Sequence, residues 1–405
     1  MPPVGSLTVM RSLTARVVLV YLALRAVSTV LLVLASRDQP VMLDWTGPTV
    51  EPLDMTVLWD GGWYRHIAEQ GYPHVLPVDP NTGRVAQNAW AFYPLFPLVS
   101  RLLMDVTGLG FAVVASSVSL LCGLGAAVVM ARLLADRVGP SVALATVAAW
   151  GAFPAAVSLQ IAYTEAMAML VLCLLLWAVM RRQWVAVGGL ALVLGLTRPI
   201  AVPVIAVVAV ALFLRWRRRR IEPIPLGEYA AGVWALGATG LGAGLWPLIA
   251  WRVTGVRDAY TQTMASWRVG GEIEPLKPWL GMSQWAFRHF EGGDVYGPVG
   301  LAALVTAIVV LTLGPWATAL GPELRTWCLA YPAYLALVLD PFTSIFRYAI
   351  PLFPLLAVML GGGWLDRSAR WLGARTVALV GLGLVGQVAW IWKLLVFHPP
   401  SDYPP

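Results

Sequence analysis

Charge is scarce in this 405-residue sequence: Asp, Glu, Lys and Arg together make up 12% of it, while 59% of its residues are hydrophobic. Soluble globular domains carry roughly 25% charged residues. The deficit, with a mean hydropathy of +0.73, excludes a water-exposed fold and implies a polytopic membrane protein. A long polar block is also missing between Leu13 and Phe397. The chain therefore reads as one membrane-embedded unit, 1–405, whose chemistry takes place at or inside the bilayer. Cysteine is nearly absent: Cys122, Cys173 and Cys328 fall inside apolar runs without paired spacing, a pattern of packing residues and of neither a disulfide framework nor a zinc site. Lysine is rarer still, Lys277 and Lys393 being the two among 28 basic residues. With heavy Ala, Gly and Val usage, that bias fits a high-GC bacterial genome. No Walker loop, no Gly-x-Gly-x-x-Gly after a strand and no Ser-His-Asp spacing is present, so no soluble nucleotide cofactor is implied.

What is present is a succession of apolar runs. Taking about 20 residues as enough to cross, the expected spans are 13–36, 111–134, 139–157, 163–180, 184–197, 199–215, 229–253, 298–320, 324–339, 346–364 and 374–396, with 184–215 readable as one broken helix or as two. The first run follows Arg11 and Arg16 as a secretory signal would, but it is too long for a signal's apolar core of about 7–15 residues and carries Arg25, so it reads as a retained span. Arginine collects at Arg11 and Arg16, Arg132 and Arg137, Arg181 and Arg182, Arg215 with Arg217 to Arg220, Arg325, and Arg367, Arg370 and Arg375. With about eleven crossings and a cytoplasmic N-terminus, every one of these clusters falls on the cytoplasmic side. Because the excess of +7 lies in these short clusters and not in a basic stripe with interleaved aromatics, no nucleic-acid partner is expected. Trp150, Trp177, Trp184, Trp216, Trp316 and Trp364, near span ends, fit interfacial belts.

The same threading leaves two long outer segments, 37–110 and 254–297, and short outer turns at 160–165, 197–199 and 340–347. Charges that topology does not require gather there. A charge at the membrane edge is costly, so several converging on one face imply a polar site at the outer leaflet. In the first segment, Trp59, Trp63, Ile67 and Gln70 recur at helical spacing, predicting a short surface helix over 61–70. Residues 92–106 predict a second interfacial helix or a re-entrant piece. Asp60 precedes the first of these, where a carboxylate either caps the helix N-terminus or accepts a proton from a substrate hydroxyl. Arg198, before the helix-breaking Pro199, and Arg347 with Tyr348 each offer a planar fork of donors for a phosphate at headgroup depth; the bland alternative is an arginine that snorkels to the interface. Tyr163-Thr164-Glu165 opens a span where Glu165 gains from the helix dipole, either as a cap or as part of a site. Asp54, Asp340, His66 and His289 are weaker candidates, and the histidines are too far apart in sequence to make a metal site. No compact carboxylate cluster is evident, so no metal is expected. The glycines from Gly237 to Gly244 suit close helix packing.

Five stretches carry a family resemblance: Trp59-Asp60 through Gly71-Tyr72, Ala91-Phe92-Tyr93-Pro94-Leu95-Phe96-Pro97, Ala162-Tyr163-Thr164-Glu165-Ala166, Thr197-Arg198-Pro199, and Phe346-Arg347-Tyr348 with Pro351 and Pro354. In these residues and their order the chain resembles the PIG-V family of polytopic mannosyltransferases, within the GT-C class that uses lipid-phosphate sugars. The resemblance implies an all-α, GT-C-like membrane fold. It implies inverting transfer of mannose from polyprenyl-phosphate mannose to a hydroxyl of a lipid- or glycan-linked acceptor on the extracytoplasmic face of a bacterial plasma membrane. Asp60 then becomes the general base and Arg198 and Arg347 the donor-phosphate ligands, with Trp59, Trp63, Tyr64, His66, Tyr163, Glu165, Tyr348 and His289 around the substrates. The family's arginine turn usually continues with a small polar residue and glycine, whereas here Pro199-Ile200 follows. The partners expected are membrane lipids, the lipid-linked donor and the acceptor.

Two other function classes fit the same composition. A transporter or flippase of a lipid-linked molecule would carry functional charge near the bilayer middle, where Arg25 is the main candidate. A non-catalytic assembly subunit would use its outer segments to bind a partner. In the enzyme reading, the second outer segment, with Trp267, Arg268, Glu272, Lys277, Trp279, His289 and Glu291, selects the acceptor.

Overall fold

A computed structural model describes residues 4–268, 271, 273–290, 292–341, 344–363, 370–399 and 405. Glu272, Glu291, Trp364 and Arg367, named above, lie outside the described residues. In chain order the helices are α1 (Val4–Ala35), α2 (Leu43–Thr46), α3 (Asp60–Gln70), α4 (Leu95–Thr107), α5 (Phe111–Val138), α6 (Pro140–Gly151), α7 (Glu165–Met180), α8 (Trp184–Gly195), α9 (Ala201–Arg217), α10 (Leu226–Thr254), α11 (Ala259–Ser266), α12 (Lys277–Ala286), α13 (Gly293–Leu313), α14 (Gly321–Val338), α15 (Ile345–Ala349), α16 (Phe353–Met359) and α17 (Leu372–Trp390). The extended pairing among the described residues is a single antiparallel bridge between Val78 and Val85 in the first long loop.

Every expected crossing is helical. Met10–Ala35, Phe111–Val138, Leu226–Thr254, Gly293–Leu313 and Leu372–Leu395 are long and apolar enough to traverse a bilayer alone. Others are shortened by identifiable breakers. The 184–215 stretch resolves as two helices, α8 and α9, separated by the turn before Ala201 that contains Pro199. Pro351 and Pro354 divide the last proline-rich crossing into α15, a 3₁₀ turn at Ile350–Leu352, and α16. The stretches 61–70 and 92–106 are helical, as α3 and α4, which pack on each other and on α5.

Helix packing relies on small residues where backbones approach. In the pair formed by α8 and α10, a Cβ at Gly195 would land on the Gly242 carbonyl. Gly237, Gly240 and Gly244 have open space around their Cα atoms, so of this glycine-rich run Gly242 is the one that close approach requires. The tryptophan reading needs correction at two positions. Trp150 is 1% exposed and stacks beside Tyr21 with centroids 6.4 Å apart, and Trp184 is 3% exposed; both are core residues. A belt residue must face the lipid interface, as Trp216 does at 48%.

Arg25 is buried as well. Its guanidinium donates to the Ala156 and Gly151 carbonyls, where α6 ends and a 3₁₀ turn at Pro154–Leu159 begins. Gln387 donates to the same Gly151 carbonyl at 3.3 Å while accepting from Ser28 at 2.8 Å. These groups satisfy carbonyls that a helix end leaves without partners, which water cannot do in this setting.

The two ends of the bundle differ in chemistry. At one, Arg132 reaches Thr14, Arg137 pairs with Glu323 at 3.3 Å, Arg181 with Asp136, Arg182 with Glu222 and Arg215 with Glu228, so Arg132, Arg137, Arg181, Arg182 and Arg215 share one end. The other end gathers α3, the start of α7, the α8–α9 turn and α15.

Candidate functional site

Asp60 enters the site through an unusual backbone. Trp59 has φ 57° and ψ −117°, a conformation costing a non-glycine residue about 1–3 kcal/mol, and it is held there from several sides. Its indole N–H donates to the Leu395 carbonyl at 2.8 Å, and its ring packs against Trp45 and Phe397 with centroids 5.2 and 5.8 Å away. Leu395 ends a π-helical turn, Ile391–Leu395, that continues α17. Next to Asp60, a Cβ on Gly61 would meet the Thr56 carbonyl at 3.2 Å and Ala162 at 3.7 Å. The loop is stitched to the start of α7 by Ala162 N–H to the Thr56 carbonyl at 2.8 Å and by the Tyr163 hydroxyl to the Leu58 carbonyl at 3.2 Å. Asp60 and Glu165 are thereby held on neighbouring helix N-termini.

Asp60 is the first residue of α3, and Trp59 occupies the cap position without any side-chain capping bond. The capping account of Asp60 therefore gives way: its Oδ2 accepts from Arg347 Nη1 at 2.6 Å. The same Nη1 lies 3.1 Å from Glu165 Oε1, and Arg198 Nη1 lies 2.5 Å from that oxygen. Two carboxylates and two guanidiniums thus form one connected quartet with a formal charge of zero. Its members are largely withdrawn from solvent: side-chain exposure is 3% for Glu165, 5% for Arg347, 14% for Arg198 and 24% for Asp60. Burial disfavours the charged form of Arg198, but the adjacent Glu165 outweighs it and raises the guanidinium pKa above its ordinary value.

Aromatic rings complete the surroundings. The Arg198 guanidinium lies 5.3 Å from the Tyr348 ring centre and that of Arg347 lies 4.9 Å from Tyr163. Tyr64 on α3 shares a hydrogen bond with Thr164 at 3.3 Å. Asp60, Glu165, Arg198, Arg347, Tyr64, Tyr163 and Tyr348 are therefore brought together. Trp59 is also adjacent, but 6% exposed, with its N–H already engaged.

Trp63 and His66 lie elsewhere on α3: Trp63 stacks on Phe92 at 5.5 Å and meets Trp267 of the second outer segment edge-on at 5.4 Å, while His66 is exposed. His289 is exposed in the turn between α12 and α13 and takes no part in the quartet's hydrogen bonds. Asp54 accepts from the Glu51 N–H in a local turn. Two participants carried no sequence signal. Ser344 accepts from Arg347 Nη2 at 3.2 Å, and the Tyr331 hydroxyl on α14 donates to the Tyr348 carbonyl at 2.9 Å. Among the described residues, no group of three or more His, Cys, Asp or Glu side chains gathers in the manner of a metal site. The chemistry on offer is a carboxylate at the mouth of a buried, charge-balanced site whose two cations are positioned by another carboxylate.

No family model matches the chain, and no curated protein matches it in sequence. Among solved structures it is similar to ArnT from Cupriavidus metallidurans, determined as a crystal structure bound to undecaprenyl phosphate. The TM-score is 0.51 with 16% identity, covering 91% of this chain and 64% of ArnT, so the chain spans a little under two thirds of ArnT's length. The likeness is one of fold: an all-helical architecture with several helices long and apolar enough to cross a membrane.

Proposed function

We propose that the chain is a membrane glycosyltransferase that moves a mannosyl residue from polyprenyl-phosphate mannose to a hydroxyl of a lipid- or glycan-linked acceptor, with inversion. In this reading it is a bacterial member of the PIG-V family, with its N-terminus in the cytoplasm and its site on the outer face of the plasma membrane. The observation that carries it is the quartet: an acidic residue at the site's more open edge, two arginines behind it, and all four charges at the end of the bundle opposite the arginine clusters. The fold shared with a protein solved bound to undecaprenyl phosphate supports a lipid-phosphate donor.

Asp60 accepts the proton of the incoming acceptor hydroxyl as that oxygen attacks the anomeric carbon from the face opposite the lipid phosphate. The departing group is a lipid phosphate that already carries negative charge, so it needs cations and no general acid. Arg198, the more open guanidinium, meets it first, and Arg347 adds to the local positive potential. Two arginines can thus supply the charge stabilisation that a metal supplies elsewhere, and the reaction runs without one. Trp63 with Trp267, where the two outer segments touch, forms the acceptor side of the site. The rival transporter reading relied on a functional charge deep in the bilayer. Arg25, the candidate for it, is committed to the carbonyls at the end of α6.

Reconstituted vesicles containing the full chain and labelled polyprenyl-phosphate mannose test the proposal. A new mannoside formed with an added glycolipid acceptor mixture supports it. Movement of unreacted labelled lipid between leaflets, without glycoside formation, overturns it in favour of a flippase.

A further inference from the structure

Inside the quartet two polar atoms remain unmatched. Glu165 Oε2 and Arg347 Nε are both buried and neither has a hydrogen-bond partner. Their residues line the same small cavity, of about 10 Å³, which Arg198 and Tyr331 also line, beside apolar side chains such as Met169 and Ile350. A buried charged group with an unmet hydrogen bond is costly. Here the two unmet requirements are opposite: the carboxylate oxygen needs a donor and the guanidinium N–H needs an acceptor.

One hydroxyl satisfies both, donating to Glu165 and accepting from Arg347. An ionised phosphate diester cannot, because it has no proton to donate and would face the carboxylate as a like charge. The volume agrees, since about 10–15 Å³ accommodates one water-sized group and not a ring. We infer that this cavity is a hydroxyl subsite of the sugar donor, in which Glu165 reads one hydroxyl of the transferred sugar while the lipid phosphate, too large to enter, meets Arg198 from its open side. The inference rests on the glycosyltransferase reading and extends it: Glu165 becomes the residue that distinguishes a lipid-phosphate sugar from the bare lipid phosphate and from deoxy sugars.

Wild-type full-length protein, assayed for binding and for transfer with undecaprenyl-phosphate mannose, its four monodeoxy analogues and undecaprenyl phosphate, tests the inference without any variant. One monodeoxy analogue is expected to bind or react about 100-fold or more worse than the parent. Glu165→Gln should erase most of that discrimination between the parent and the one analogue. If all four analogues match the parent, no hydroxyl is read and the cavity holds only water; the inference then fails, while continued transfer leaves the proposed function standing. If binding discriminates against one analogue but no mannose is ever transferred, the subsite stands and the proposed reaction fails. Should Glu165→Gln not fold, the wild-type analogue series still decides.

Discussion

The two ends of this bundle use the same side chains to opposite effect. At the basic end, Arg181 with Asp136 and Arg182 with Glu222 are open pairs, each partner 41–54% exposed. At the other end, Arg347, Glu165 and Arg198 are 3–14% exposed and share oxygen and nitrogen atoms. An exposed pair gains little over two hydrated ions. A buried network is costly to assemble and far costlier to break, because removing one member leaves its partners charged and dry. The basic end therefore tolerates the loss of any one open pair, whereas the site end depends on each charge individually. Arg215 is the exception that sharpens the rule: at the basic end, yet 5% exposed and paired with Glu228 through Nε at 2.7 Å, it is positioned like a site residue without sitting in one.

Substitutions should separate these roles. The largest effect is expected from Asp60→Asn, which keeps the size of the side chain and removes the base: mannosyl transfer should fall by about 10²–10⁴, with a smaller loss of thermal stability than Arg347→Ala because Arg347 keeps Glu165, measured as initial rates and unfolding curves on the same preparation. Arg347→Ala should cost about 3–5 kcal/mol of stability, because Asp60 and Glu165 would be left facing each other without their shared cation. A thermal unfolding curve unchanged from wild type would show that the quartet does not behave as a network. Arg215→Ala should lower thermal stability by a smaller amount and leave turnover per folded molecule within about twofold, which distinguishes a buried pair from a catalytic one. Arg182→Ala should shift the melting temperature by no more than about 2 °C and leave transfer at wild-type level.

Much of this arrangement is legible before folding is considered. Apolar run lengths place the crossings, and the periodicity of Trp59, Trp63 and Ile67 places α3. Parity of the expected crossings predicts that Asp60, Glu165, Arg198 and Arg347 lie at one end, and their ion pairs do bring them together. Pairing within that end is a different matter. Nothing in the sequence says that Glu165 will be shared between two arginines 33 and 182 positions away, or that Ser344 and Tyr331 will join them. The φ of Trp59 is equally silent, since it arises beside contacts with Trp45 and with Leu395 and Phe397, a segment more than 330 positions away. Interface and core tryptophans also share one composition, so Trp150 and Trp184 read as belt residues until packing reveals the side they face.

A structure of the full chain with undecaprenyl-phosphate mannose bound would test the central claim most directly. The account places the sugar's anomeric carbon beside Asp60, the phosphate within hydrogen-bonding reach of Arg198 and one sugar hydroxyl between Glu165 and Arg347. A donor phosphate seated instead among Arg215 and Arg217 to Arg220 at the opposite end would contradict it.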